Sequence, residues 1–261
     1  HDALPISNLN SMYDINDGWG QDAGSAQSGV SLNMGTSKYT AGGAAEQGRT
    51  ALVNAGWTIT DGGGIYSNTN ALSFNGSTEY LTAGNFSLNN SAFSIQVYIK
   101  SSNTSDFQMI VGKTIGGSNP SNEQIQFRTE TNGNIKVILF GSTTSLTLES
   151  SGDNVLDGNW HSIVVTWSTS VGAKIYIDGT LRGTDATNIG TLNSSTEDFL
   201  IGARNTASPV KFFNGSMDEL MIWDNIISTG DIQAYANVIG SGSIPDPNSI
   251  TGLQLWNRMG D

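Results

Sequence analysis

The chain contains no cysteine and only two histidines. Disulfide frameworks, thiolate zinc sites and cysteine nucleophiles are thereby excluded. Charge is scarce, at 13% of residues, and unevenly signed: 11 Lys and Arg against 23 Asp and Glu leave a net charge of −12 at pH 7. Such a surface repels phosphate backbones, so no nucleic acid partner is expected. No apolar run approaches the roughly 18 residues that span a bilayer, and membrane insertion is not expected either. Carboxylates are also poorly arranged for catalysis. Retaining glycoside hydrolysis needs two of them about 5–5.5 Å apart, which on one strand means spacing i, i+2 or i, i+4. No segment read as a strand carries a run of the E-x-D-x-E kind, and the adjacent pair Asp218–Glu219 points to opposite faces of any strand it occupies. A nucleophile-elbow motif is missing too. The reading is therefore a non-enzyme.

What the chain does have is glycine, serine, threonine and asparagine between short β-branched runs, the composition of many strands joined by polar turns. In FSIQVYIK, Phe93, Ile95, Val97 and Ile99 face one way while Ser94, Gln96, Tyr98 and Lys100 face the other. EQIQFRT puts Ile125 and Phe127 inward, and NIKVILF does the same with Ile135, Val137 and Leu139. AKIYIDGTLRG reads as a hairpin turned by Asp178-Gly179, and WHSIVVTW, apolar on both faces, as a central strand. The fold class predicted over 65–240 is all-β: a two-sheet antiparallel jelly-roll sandwich with one short helix. That helix is expected to start near Ser228, where Ser228 and Asp231 make a capping box.

The flanks differ. Residues 1–64 begin with HDALPIS, which fits no pattern in the rest, and contain a helix candidate, GGAAEQGRTALVNAG, closed by Gly56 and followed by the strand Trp57–Thr60. Helix then strand within about 20 residues is one unit of a solenoid. Residues 241–261 read as a Gly/Ser/Pro linker, SGSIPDPNS, and then GLQLWNRMGD as the truncated opening strand of a following module.

Four blocks of the middle segment, in order, carry a resemblance: ALSFNGSTEYL, AFSIQVYIK, DGNWHSIVVTWSTSVGAKIYIDGTLRGT and FLIGARNTASPVKFFNGSMDELMIWDNIIS. They resemble the laminin-G/pentraxin-like (concanavalin A-like) jelly roll of bacterial or phage surface proteins. The stretch SGVSLNMGTSKYTAGGAAEQGRTALVNAGWTITDGG resembles the terminal unit of a BspA-like bacterial surface leucine-rich repeat, which makes residues 1–64 a repeat stump. The resemblance implies a secreted, cell-surface or virion-surface protein, a cell-adhesion role, and a carbohydrate- or surface-binding module working beside flanking modules of a longer chain. A glycan or a surface protein is the implied ligand. A structural spacer without a ligand, and a hydrolase relative stripped of its carboxylates, are the alternatives.

The pentraxin branch places a histidine before a cysteine in its central strand. Here His161 precedes Ser162 and Ile163, which counts against a pentraxin-type ligand site. Calcium is the one cofactor the resemblance implies, with Asn75 in the F-N-G turn and Asp218 in the M-D-E strand as the matching ligands. The ligand-binding candidates are Tyr98 and Trp160, as aromatics of the sheet and of a loop tip, together with Arg204 and Lys211, which flank the polar loop NTASPVKFF.

Overall fold

The computed structural model describes residues 9–16, 18–21, 24, 27–67, 70–115, 120–205, 208–239 and 243–260. The segment HDALPIS lies outside them. The chain divides into two compact units, His1–Thr69 with Ser241–Ile250, and Asn70–Gly240 with Thr251–Asp261.

The first unit holds α1 (Leu9–Tyr13), β1 (Ser31–Asn33), β2 (Tyr39–Thr40), α2 (Ala44–Asn54), β3 (Thr58–Thr60), β4 (Gly64–Ser67) and β17 (Ser243–Pro245). β1 pairs with β3 and β2 with β4, both in parallel. α2 crosses between the parallel strands, burying Ala45, Gly48 and Leu52. Gly48 is obligatory for packing, because a Cβ there would stand 1.5 Å from the Tyr13 carbonyl oxygen. Asp61, from the TITDGG ending, accepts from Tyr13 Oη at 2.8 Å, Arg49 Nε at 2.8 Å and Gly63 N at 3.1 Å. Burial pushes its carboxyl up, but the Arg49 and Tyr13 hydrogen bonds outweigh that and hold it below the ordinary range. The expected linker is not a free connection in the structure: Ser243–Pro245 pairs antiparallel with β4, and Ile244 is buried.

The second unit is the jelly roll. Its strands are β5 (Leu72–Asn75), β6 (Leu81–Thr82), β7 (Ala92–Lys100), β8 (Gln108–Lys113), β9 (Ile125–Thr129), β10 (Ile135–Phe140), β11 (Ser145–Glu149), β12 (Trp160–Ser168), β13 (Gly172–Ile177), β14 (Thr180–Asp185), β15 (Leu200–Ile201), β16 (Asn214–Trp223) and β18 (Leu253–Asn257), with one helix, α3 (Thr229–Ala236). One sheet runs β11-β10-β9-β8-β15-β6; the other runs β14-β13-β12-β7-β16-β18, with β5 also on β16. The alternating apolar residues meet between the sheets, where Phe93, Ile95, Val97, Phe127, Val137, Val165 and Trp167 are buried in one core. WHSIVVTW is central, flanked by β7 and β13. The hairpin turns at Asp178 and Gly179, both at positive φ (50° and 76°).

α3 begins as expected: Ser228 Oγ accepts from Asp231 N at 3.1 Å, and the Asp231 carboxylate accepts from Ser228 N at 3.2 Å. It lies against the outer face of the larger sheet, its Tyr235 ring beside Trp223. GLQLWNRMGD is a different matter. Leu253–Asn257 forms β18 and pairs with β16, so this segment is a strand of the same sheet and not the opening strand of another module. Glu219 anchors the strand: it is fully buried, with Trp256 Nε1 donating to its Oε2 and Arg258 Nε 3.8 Å from its Oε1.

Candidate functional site

Strand alternation dictates what the smaller sheet shows on its outside. With Ile125, Phe127, Ile135, Val137, Leu146 and Leu148 in the core, Gln126, Arg128, Lys136, Ile138 and Thr147 must face outward. Register then sets them in rows. Glu149, Lys136, Arg128 and Met109 are successive cross-strand partners, and Thr147, Ile138, Gln126 and Gly112 form the next row. Gly112 is tightly overlaid: a Cβ would sit 3.1 Å from both the Ala203 carbonyl oxygen and Met109 Cε.

Arg128 is the hub. Its Nε donates to Glu130 Oε1 at 2.7 Å, its Nη1 donates to Gln126 Oε1 at 3.1 Å, and its Cζ lies 4.2 Å from the Phe107 ring centroid. Lys211 Nζ is 4.4 Å from the same centroid and is bound to Asp106. That ammonium, through its hydrogen bond, holds the Asp106 carboxyl below its ordinary range. Lys136 Nζ lies 3.2 Å from Glu130 Oε1 and 2.8 Å from Glu149 Oε2. Lys136 and then Asn134 pull the Glu149 carboxyl down to about 2. Arg204 reaches within 4.0 Å of Glu123 from the segment that overlays Gly112. Four of the chain's 11 basic residues (Arg128, Lys136, Arg204 and Lys211) thus gather here, and each is matched by a carboxylate. The face is locally balanced on an acidic molecule. Its donors and acceptors are fixed before any ligand arrives, with the Arg128 side chain only 14% exposed.

Two sequence candidates, Arg204 and Lys211, belong to this cluster; the others do not. Tyr98 is buried under α3, its hydroxyl donating to the Tyr235 carbonyl at 2.8 Å, so it is a packing residue and not an open platform. Burial raises its phenol well above the usual range. Trp160 starts β12 opposite Lys100, half-buried on the other sheet. Beside it His161 is held between carboxylates, Nδ1 2.8 Å from Asp178 and Nε2 3.1 Å from Asp157. Hydrogen bonding to Asp178 raises the imidazole above its ordinary range despite burial.

Asn75 and Asp218 do not converge on one cation. Asn75 pairs with Asn214, and Asp218 stands four residues further along β16, about 13 Å away at roughly 3.3 Å per residue. Asn75 Oδ1 is already an acceptor for Ser77 N and Thr78 N, both at 2.9 Å. The pair does not fit a calcium cage. Among the described residues no cluster of three or more His, Asp or Glu side chains is placed to hold a metal ion.

The sequence reading missed Phe107, Gln126, Arg128, Glu130 and Lys136. The alternation in EQIQFRT and NIKVILF already turned Gln126, Arg128 and Lys136 outward. What it could not supply was that β9 and β10 are neighbours in mid-sheet with Phe107 beside them.

Comparison with known proteins agrees with this architecture. The Laminin_G_3 family model, described as the concanavalin A-like lectin/glucanases superfamily, matches residues 75–233. A mouse sushi, von Willebrand factor type A, EGF and pentraxin domain-containing protein is 31% identical over 110 residues, 40% of this chain but 3% of that protein. Among solved structures, a candidate carbohydrate-binding protein from Bacteroides ovatus superposes with a TM-score of 0.53 at 15% identity, over 77% of this chain and 53% of that one. The CBM40 module of a Ruminococcus gnavus IT-sialidase superposes with a TM-score of 0.53 at 11% identity, over 66% of this chain and 97% of the module. At such identities the likeness is one of fold.

Proposed function

The chain belongs to the concanavalin A-like lectin/glucanase superfamily, and from that premise we propose that it is a non-catalytic glycan-binding module that takes its ligand on the outer face of the six-stranded sheet. The observation that carries this is the Arg128 hub, a preorganised set of guanidinium, amide and carboxylate groups in a half-buried row. Fixed guanidinium and amide groups of this kind match the vicinal hydroxyls of sugars, and prior ordering lowers the entropic cost of binding. The carbohydrate-binding fold relatives support the same ligand class.

Of the carboxylates on this face, Glu130 and Glu149 stand together at Lys136, but their environment argues against glycoside cleavage. Glu130 and Glu149 share the Lys136 ammonium, and Glu149 is held ionised to about pH 2. A general acid needs the opposite shift. The extracellular setting is supported by the mouse relative's domain types. Within it, the proposal extends to a surface adhesin in which the first unit is the end of a leucine-rich array and weak sites act through repetition.

The test is a glycan array probed with the full chain and with Arg128→Ala. Wild-type binding to a defined sugar class that falls about tenfold or more in the variant is expected, since a lost charged hydrogen bond is worth roughly 1.5–3 kcal/mol. Equal binding by both proteins, or by neither, overturns the assignment.

A further inference from the structure

We infer that Tyr80 and Phe212 form an aromatic subsite for the C–H face of a neutral hexopyranose, beside the Arg128 face; the inference rests on the glycan-binding reading. Among the described residues of the jelly roll, Tyr80 is the exposed large aromatic, at 41%. Its ring centroid is 6.3 Å from that of half-buried Phe212, with the planes tilted by 43°.

Both rings are held in place by their backbones. Tyr80 lies between the turn tied down by Asn75 Oδ1 and strand β6, where Leu81 pairs with Ile201. Phe212 follows Lys211, a non-glycine residue at φ 56°, a conformation that costs energy and persists only when its surroundings impose it. Three contacts impose it: the Lys211 carbonyl accepts from Met109 N at 3.0 Å, its ammonium is bound to Asp106, and it caps the Phe107 ring. On the other side Phe213 is fully buried, with its N donating to the Gly202 carbonyl at 2.8 Å. Phe212 is thus pinned between a left-handed residue and a core anchor, with its ring against Tyr80. The same lysine ties the aromatic pair to Phe107 and through it to Arg128.

A partner for this surface needs an apolar ring face with hydroxyls at its rim, and no net negative charge. Exposed Glu79 adjoins Tyr80, Asp106 lies beside Lys211, and the whole chain carries −12. A neutral pyranose with one uninterrupted C–H face meets these requirements: the rings take the C–H face and the phenol hydroxyl reaches the rim. The position of the subsite beside the Arg128 row calls for an oligosaccharide of at least two residues.

The experiment is calorimetric titration of the full chain, Tyr80→Ala, Tyr80→Phe, Phe212→Leu and Arg128→Ala with lactose, N-acetyllactosamine, cellotetraose and, as the anionic comparison, sialyllactose. Thermal midpoints are measured in parallel, and at an exposed position Tyr80→Ala is expected to leave the midpoint in place. The inference requires a neutral probe to bind, about tenfold weaker binding by Tyr80→Ala, substantial retention by Tyr80→Phe, and weakening by Phe212→Leu. If Arg128→Ala abolishes binding while Tyr80→Ala and Phe212→Leu bind as wild type does, the aromatic subsite is wrong and the glycan reading stands. If wild type binds none of the probes, both fall. Dimerisation of wild type that Tyr80→Ala removes would assign the aromatic pair to a second copy of the chain and overturn the inference.

Discussion

At the residue scale, Lys113 is a fully enclosed charge of the sandwich. Fully buried, it spends all three ammonium donors on Asn85 Oδ1 (2.8 Å), the Phe86 carbonyl (2.8 Å) and the Glu197 carbonyl (2.7 Å). Burial lowers its pKa. Lys113→Met keeps the stem but strips three part-buried acceptors of their donor, where an unsatisfied buried group costs roughly 1–3 kcal/mol. Urea unfolding is expected to show a loss of about 3 kcal/mol; a midpoint unchanged from wild type would mean these oxygens find other partners. His161 gives a pH-dependent prediction. The imidazole faces Asp157 and Asp178, with Asp153 nearby, and its folded pKa is raised, chiefly by Asp178. Its stabilisation is therefore fully present below the unfolded value near 6.5 and is lost as pH rises through the higher folded value. The gap in thermal midpoint between wild type and His161→Gln should be wide at pH 5.5 and narrow by pH 8.5. A gap that widens with pH would refute the ion-pair arrangement. Neither pattern is visible in sequence: nothing local sets Lys113 apart, and His161 stands out only as a departure from the pentraxin pattern.

Elements were legible where local rules act alone. The Ser228–Asp231 box, the Asp178-Gly179 turn, and the alternation in β7, β9 and β10 are each set by residues within one turn or one strand. They failed where a distant partner decides. Tyr98 looks outward by alternation, yet α3, from about 135 residues later in the chain, covers it. β18 reads as the start of something new because its partner, β16, lies some 30 residues earlier, with part of the other unit between them. Its loss carries a definite cost. Without Trp256 and Arg258, Glu219 is left a buried carboxylate short of two partners, a defect worth roughly 3–5 kcal/mol. A chain ending at residue 250 is expected to lose cooperative unfolding of the jelly roll or to melt far lower. Differential scanning calorimetry with an unchanged jelly-roll transition would show that β18 is dispensable.

At the scale of the whole molecule, charge and face work in opposite directions. A net −12 is spread over the chain, while the Arg128 face gathers a third of the basic residues and pairs each one. Sulfated polymers should therefore be repelled: no retention on heparin is expected even at low ionic strength, where screening is least. Retention released by salt would reveal an unpaired basic patch and contradict the balance described here. A neutral oligosaccharide that binds the Arg128 face lands on the six-stranded sheet and not on the other one. Hydrogen–deuterium exchange of the full chain, with and without a saturating oligosaccharide, locates it directly. Slowed exchange is expected across residues 107–113, 124–130 and 135–140, and in the segment around Lys211. Protection confined to the Asp157–Ser162 end of the other sheet, or none despite measurable binding, would contradict it.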